Sequence, residues 1–178
     1  MPLITPTELI DDLLTVAAQD PPVPRPAPRP MVASETLAAR RSARQFADRE
    51  VPLDLLAQAL GPRGADTAVA LSSGLYLWAD RGLGRRIGDA ALTKRLHERY
   101  VVAPVLLLRV ATPADVRDYY RLLLEAGMAW YDTWLAALDT GLAACPFGGA
   151  NGEVVQALAD AGRPADCHLF TLALGWPA

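Results

Sequence analysis

The chain has 178 residues and a mass of 19.1 kDa, room for one ordinary domain and too little for two. Hydrophobic residues at 52% and charged residues at 21% exclude wholesale disorder, and 17 basic against 20 acidic side chains (net charge −3) exclude a surface built to neutralise nucleic-acid phosphates. Two cysteines, Cys145 and Cys167, cannot form a disulfide framework, and no basic start followed by an apolar run and a cleavage site opens at Met1, so a cytoplasmic protein is expected. The longest apolar run, Val101 to Leu108, contains Pro104 and is far short of a membrane span.

Thr5-Pro6-Thr7-Glu8 has the layout of a helix start: Thr5 as N-cap, proline at the first helical position and an acidic side chain three residues after the cap. A helix from Pro6 to about Ala18 follows. Its Leu9, Ile10, Leu13, Leu14 and Ala17 form one apolar stripe that needs a partner surface on this domain, on a second copy or on another protein. Six of the fifteen prolines fall between Pro21 and Pro30, which makes that stretch extended polyproline. The expected organisation is an amphipathic helix in residues 1–19, a proline-rich linker in 20–33 and one domain over 34–178.

The domain opens with a capping-box pattern at Ser34 and a short helix from Glu35 to Arg41. A second helix is expected from Pro52 to Leu60, stopped by Gly61-Pro62. Thr67 to Leu71 and Gly74 to Ala79 read as strands separated by Ser72-Ser73, Asp89 to Tyr100 as a helix, and Pro104 to Val110 as a buried strand. Asp115 to Leu142 is the longest periodic segment. Its apolar residues, including Leu123, Leu124, Met128, Trp130, Tyr131, Trp134 and Leu138, cover most of the circumference, so a helix buried nearly all round is expected, with Trp130, Tyr131 and Trp134 lining a subunit interface. A loop from Ala143 to Asn151, a helix from Gly152 to Ala161 and a last strand from His168 to Trp176 complete an α+β domain whose small, mostly antiparallel sheet packs around the long helix.

No metal site assembles: His97 and His168 belong to no ligand spacing and read as solvated or structural. A Gly-x-Ser-x-Gly elbow, a Walker loop and a G-x-G-x-x-G turn are absent, which speaks against standard hydrolases, P-loop enzymes and Rossmann dehydrogenases. Two segments remain. Arg40, Ser42 and Arg44 alternate along a helix end and the chain leaving it, so two guanidinium forks and a hydroxyl could converge on one phosphate; the same run also fits a solvated helix terminus. In Cys145-Pro146-Phe147-Gly148-Gly149-Ala150, adjacent glycines let backbone N–H groups approach a flat ligand; the same run also fits a helix-terminating turn.

Taken together, R-R-S-A-R-Q-F, then L-L-L-E-A-G-M-A-W-Y-D-T-W-L-A-A-L-D-T-G-L, A-C-P-F-G-G and L-F-T-L-A-L-G-W-P, in this order, resemble the nitroreductase superfamily of FMN enzymes over roughly Ser34 to Pro177. Within it, L-L-E-A-G and the strand start Gly74-Leu75-Tyr76 look most like the SagB-type dehydrogenases, which oxidise azolines to azoles in peptide natural products. The resemblance implies a nitroreductase-like fold and a dimer with FMN sites between subunits. It places the FMN phosphate and ribityl chain at Arg40, Ser42 and Arg44, and the flavin ring beside Pro146, Phe147, Gly148 and Gly149. The implied function is an FMN-dependent oxidoreductase, a dehydrogenase acting on a peptide-derived or natural-product intermediate of azoline-to-azole type; the alternative is a noncatalytic, shortened member serving as subunit or scaffold of a peptide-modifying complex.

Three departures qualify the implied activity. Gly61 to Thr67 leaves no room for the family's Pro-Ser-rich loop. Pro113 and Ala114 stand where azoline dehydrogenases carry a Lys-Tyr pair, leaving Tyr119 and Tyr120 as candidates to move a proton. The chain stops at Ala178, where relatives continue into an arm with basic contacts to the phosphate. The expectation is weak FMN binding by the chain alone, as a homodimer or in a heteromer with a longer family member that completes the site.

Overall fold

In a computed structural model of the chain, two units separate, Met1–Ala33 and Ser34–Ala178, and the structure describes residues 40–61 and 66–178, all in the second. The expected N-terminal helix, the proline-rich linker, the capping box at Ser34 and residues 62–65 lie outside the described residues. Arg40 and Arg41, expected to end a helix, are in irregular chain.

Among the described residues, six strands and four helices follow in chain order: α1 (Leu53–Leu60), β1 (Thr67–Leu71), β2 (Gly74–Ala79), β3 (Gly82–Gly88), α2 (Ala90–Arg99), β4 (Val105–Ala111), α3 (Val116–Asp139), β5 (Ala143–Gly148), α4 (Gly152–Asp160) and β6 (Cys167–Gly175). The strands form one sheet in the order β3-β2-β1-β4-β6-β5, with every neighbouring pair antiparallel. Side chains alternate between its faces. Val69, Val105, Leu107, Leu172 and Leu174 pack against α1 and α3, while Ala68, Ala70, Leu106, Leu108, Val110 and Ala173 pack against α2 and α4. This double burial explains why β4 and β6 read as continuous apolar runs.

Two strands were not apparent from sequence. β3 is turned back from β2 by Asp80 and Arg81, both with positive φ (47° and 66°), the geometry of a two-residue hairpin turn without its usual glycine or asparagine. Its own Gly-Leu-Gly-Arg-Arg-Ile-Gly carries no alternating pattern. β5 occupies most of the expected loop 143–151. Its proline is tolerated because β5 ends the strand order and pairs only with β6.

The long helix also differs from expectation. α3 packs on one face of the sheet, and its buried residues all lie from Ala126 onward: Ala126, Trp130, Thr133, Trp134, Leu135 and Ala137. At 24 residues it is about 36 Å long against about 23 Å for the seven-residue β4, so the sheet is too short to cover it. Trp130 (2% exposed) and Trp134 (4%) belong to the chain's own core instead of lining an interface, whereas Leu124 (67%), Met128 (64%) and Tyr131 (41%) face outward. Each of α2, α3 and α4 begins at the capping residue its sequence offers: Asp89 accepts from the Leu92 amide, Asp115 from the Asp118 amide and Asn151 from those of Glu153 and Val154.

Candidate functional site

The segment that carries Arg40, Ser42 and Arg44 is tied to the start of β5 and to the chain that follows β6. The Ala43 amide donates to the Ala144 carbonyl (3.0 Å), the Ala47 amide to the Trp176 carbonyl (2.9 Å), and Phe46 forms an isolated bridge with Pro177. Phe46 also lies across Gly175. A Cβ there would sit 2.8 Å from the Phe46 ring and 2.6 Å from Pro104, so only glycine admits this contact. Trp176 donates its indole N–H to the Glu50 carbonyl (3.1 Å) and receives the Arg49 guanidinium on its ring at 4.1 Å. Gly175→Val is therefore expected to expel Phe46 and destabilise the fold by about 1–3 kcal/mol, measurable by thermal unfolding.

Pinned in this way, residues 42–45 line a depression of about 540 Å³ together with Pro177 and Ala178. Ser42 and Arg44 are exposed and come together here. Beneath them, burial raises the pKa of the Cys145 thiol, while the Arg44 charge and a hydrogen bond from Ser42 pull it down. Arg40 is not brought to the same point. Its guanidinium carbon lies 4.5 Å from the centre of the Trp134 ring and 5.6 Å from that of Tyr131, and its Nε is buried without a hydrogen-bond partner.

The glycine turn stands at the opposite end of β5. Gly148 lies four positions after Ala144, which sits beside the Ser42–Arg44 segment, a span of about 13 Å in an extended strand. Pro146 and Phe147 are half-buried, and the Phe147 ring packs on Tyr100 at 5.5 Å. Gly148 and Gly149 are exposed; Gly149 takes φ +100°, and a Cβ on it would meet nothing within 4 Å. The turn's backbone is thus open to a flat ligand. Tyr119 and Tyr120 are half-buried on the first half of α3, their rings edge to face at 5.8 Å, and neither lines the depression beside Ser42 and Arg44.

Two residues that the motif reading left aside hold the far side of the turn. The backbone N–H of Asn151 donates to Nδ1 of the wholly buried His168 (3.0 Å), and His168 Nε2 meets Thr171 Oγ1 at 3.0 Å. Burial pushes the His168 pKa down to about 4. The available sequence signal was an asparagine placed to cap a helix directly after the glycines. Among the described residues, no cluster of His, Cys, Asp and Glu could hold a metal ion, and no helix is long and apolar enough to cross a membrane.

No protein-family model matches the chain, and no curated protein matches it in sequence. Solved structures do match in fold. A protein described as a nitroreductase from Ralstonia eutropha JMP134 is 19% identical with a TM-score of 0.64, the match covering 88% of each chain. A second, from Anabaena variabilis ATCC 29413, is 20% identical with a TM-score of 0.62 over 81% of this chain but only 38% of its own. A nitroreductase with bound FMN from Bacteroides fragilis NCTC 9343 is 21% identical with a TM-score of 0.56 over 84% of this chain and 90% of its own. The chain therefore has a nitroreductase-like fold.

Proposed function

We propose that this chain binds FMN along β5 and acts as a flavin-dependent oxidoreductase. The observation that carries the reading is the pairing of two features on one strand: the exposed Ser42 and Arg44 at its start and the open Gly148–Gly149 turn at its end. The residues present fit the group. The depression offers a guanidinium and a hydroxyl with no Asp or Glu side chain among its lining residues. A fork-shaped cation suits a phosphate, and side-chain-free backbone suits a ring.

When bound, FMN supplies two-electron hydride chemistry. Arg44 and Ser42 hold the phosphate end, and the turn's backbone seats the ring end. The half-buried Phe147, braced by Tyr100, keeps that end of β5 from shifting. The substrate we propose is a peptide-derived or natural-product intermediate, oxidised from azoline to azole. This rests on the likeness of Leu123-Leu124-Glu125-Ala126-Gly127 and Gly74-Leu75-Tyr76 to the dehydrogenases of that chemistry.

FMN titration followed by flavin fluorescence tests the cofactor reading. Arg44→Ala removes a charge-assisted contact worth roughly 1.5–3 kcal/mol and is expected to weaken binding roughly 10- to 100-fold without unfolding the protein. An Arg44→Ala protein that binds FMN as tightly as the parent contradicts it. We also propose a second copy as partner, seated on the outward face of α3 at Leu124, Met128 and Tyr131. In sedimentation at micromolar concentration, the parent should run as a dimer and Leu124→Arg with Met128→Arg as a monomer; a parent that is monomeric throughout rules out the pairing.

A further inference from the structure

We propose that His168 is the positioning residue of the glycine turn, holding Gly148-Gly149-Ala150 in place through the backbone N–H of Asn151; as a flavin-site role this rests on the function proposed above. The turn is short, and β6 holds both of its ends. Phe170 pairs with Gly148 as the last rung between β5 and β6, and His168, two residues earlier on the same strand, receives the Asn151 amide at 3.0 Å. Only Gly149 and Ala150 lie between these two anchors, both exposed.

The anchor has a defined protonation state. A backbone N–H can only donate, so Nδ1 of His168 must accept, and the neutral ring carries its proton on Nε2 and donates it to Thr171 Oγ1. Tyr100, with its ring centre 6.5 Å away and edge-on, packs beside the imidazole. The Asn151 side chain is already committed to capping α4, its Oδ1 accepting from Glu153 N (2.9 Å) and Val154 N (3.3 Å). One residue therefore ties the turn to β6 through its backbone and to α4 through its side chain. Without the imidazole, the buried amide has no acceptor, and the turn loses its fixed exit. Burial keeps the ring neutral at ordinary pH, so the acceptor is always presented.

Backbone hydrogen exchange on the full chain without flavin tests the anchor, and FMN affinity tests its consequence. His168→Leu removes the acceptor; His168→Asn returns a side-chain oxygen close to the Nδ1 position; Thr171→Val, nearly isosteric, removes the hydroxyl that holds the ring at Nε2. The expected result is about tenfold faster exchange at residues 149–151 in His168→Leu, with the β4 amides unchanged and FMN bound several-fold more weakly. His168→Asn should restore both, and Thr171→Val should accelerate exchange at Asn151 alone. Unchanged exchange at residues 149–151 in His168→Leu, or in Thr171→Val should the leucine variant not fold, overturns the proposal, as does His168→Asn behaving like leucine. A parent chain that shows the exchange pattern but takes up no FMN sinks the cofactor reading and leaves the anchor standing.

Discussion

Trp130→Ala is expected to destabilise the fold by about 3–5 kcal/mol, whereas Tyr131→Ala, one position along the same helix, should cost under about 1 kcal/mol in the isolated chain. The difference comes from burial. Trp130 is 2% exposed within the cluster formed by α1, α3 and the sheet, among Leu56, Leu107 and Leu172, so its loss leaves a cavity that strands cannot close. Tyr131 is 41% exposed, and its ring meets Trp134 and Arg40 at the edge of that cluster. Urea unfolding of the two variants at low concentration measures both. Equal losses would mean that the tryptophan is not a core residue. The same pair separates folding from the proposed self-association, because of the two only Tyr131→Ala should weaken such pairing while leaving the fold intact.

Acid should destabilise the protein through His168 before most carboxylates titrate. Its pKa is lowered from 6.5 to about 4 by burial, partly opposed by a backbone hydrogen bond involving Phe170. The unfolded chain takes up this proton as pH falls below about 6.5, and the folded chain does not until about 4, so between these values the unfolded state binds more protons and stability falls with falling pH. Above 6.5 the stabilisation is fully present. Across the window its loss amounts to about 3 kcal/mol at 1.36 kcal/mol per pKa unit. Because His168→Asn cannot titrate, the parent should lose about that much more stability than the variant between pH 7 and pH 4. His97, also lowered by burial, is common to both proteins and cancels. Parallel curves for the two proteins would exclude a buried neutral His168.

The elements that were legible in the sequence are those whose local chemistry and tertiary place agree. β1 and β2 alternate or run apolar between clear turn residues, and Asp89, Asp115 and Asn151 cap their helices. β3 was hidden because three glycines and two arginines leave no pattern, and its turn relies on Asp80 and Arg81 adopting positive φ. β5 was hidden because Cys145-Pro146-Phe147-Gly148 has the composition of a loop; its strand character comes from pairing with β6, with one further bond from the Ala43 amide to the Ala144 carbonyl. The apolar circumference of α3 could not say which side meets the sheet and which awaits another surface. That depends on the relative lengths of helix and strands.

For the candidate site, residue types were readable and their grouping was not. Alternation suggested that Arg40, Ser42 and Arg44 share one ligand, but the cation–π contact of Arg40 with Trp134 at 4.5 Å draws its guanidinium to the α3 side, leaving Ser42 and Arg44 to line the depression. His168 gave no motif because its work is done through a backbone amide seventeen residues away. Gly175, the residue on which the placement of Phe46 depends, was simply part of an apolar last strand.

The most direct test of the account is an amide-resolved NMR titration of the isotopically labelled chain with FMN. Simultaneous, saturable shifts at residues 42–45 and at 148–151 are predicted, the two ends of β5 responding to one ligand with one affinity. Shifts confined to one end, shifts centred instead on the depression between Ile87, Arg95 and Gln156, or no saturable response at all would contradict a flavin laid along β5.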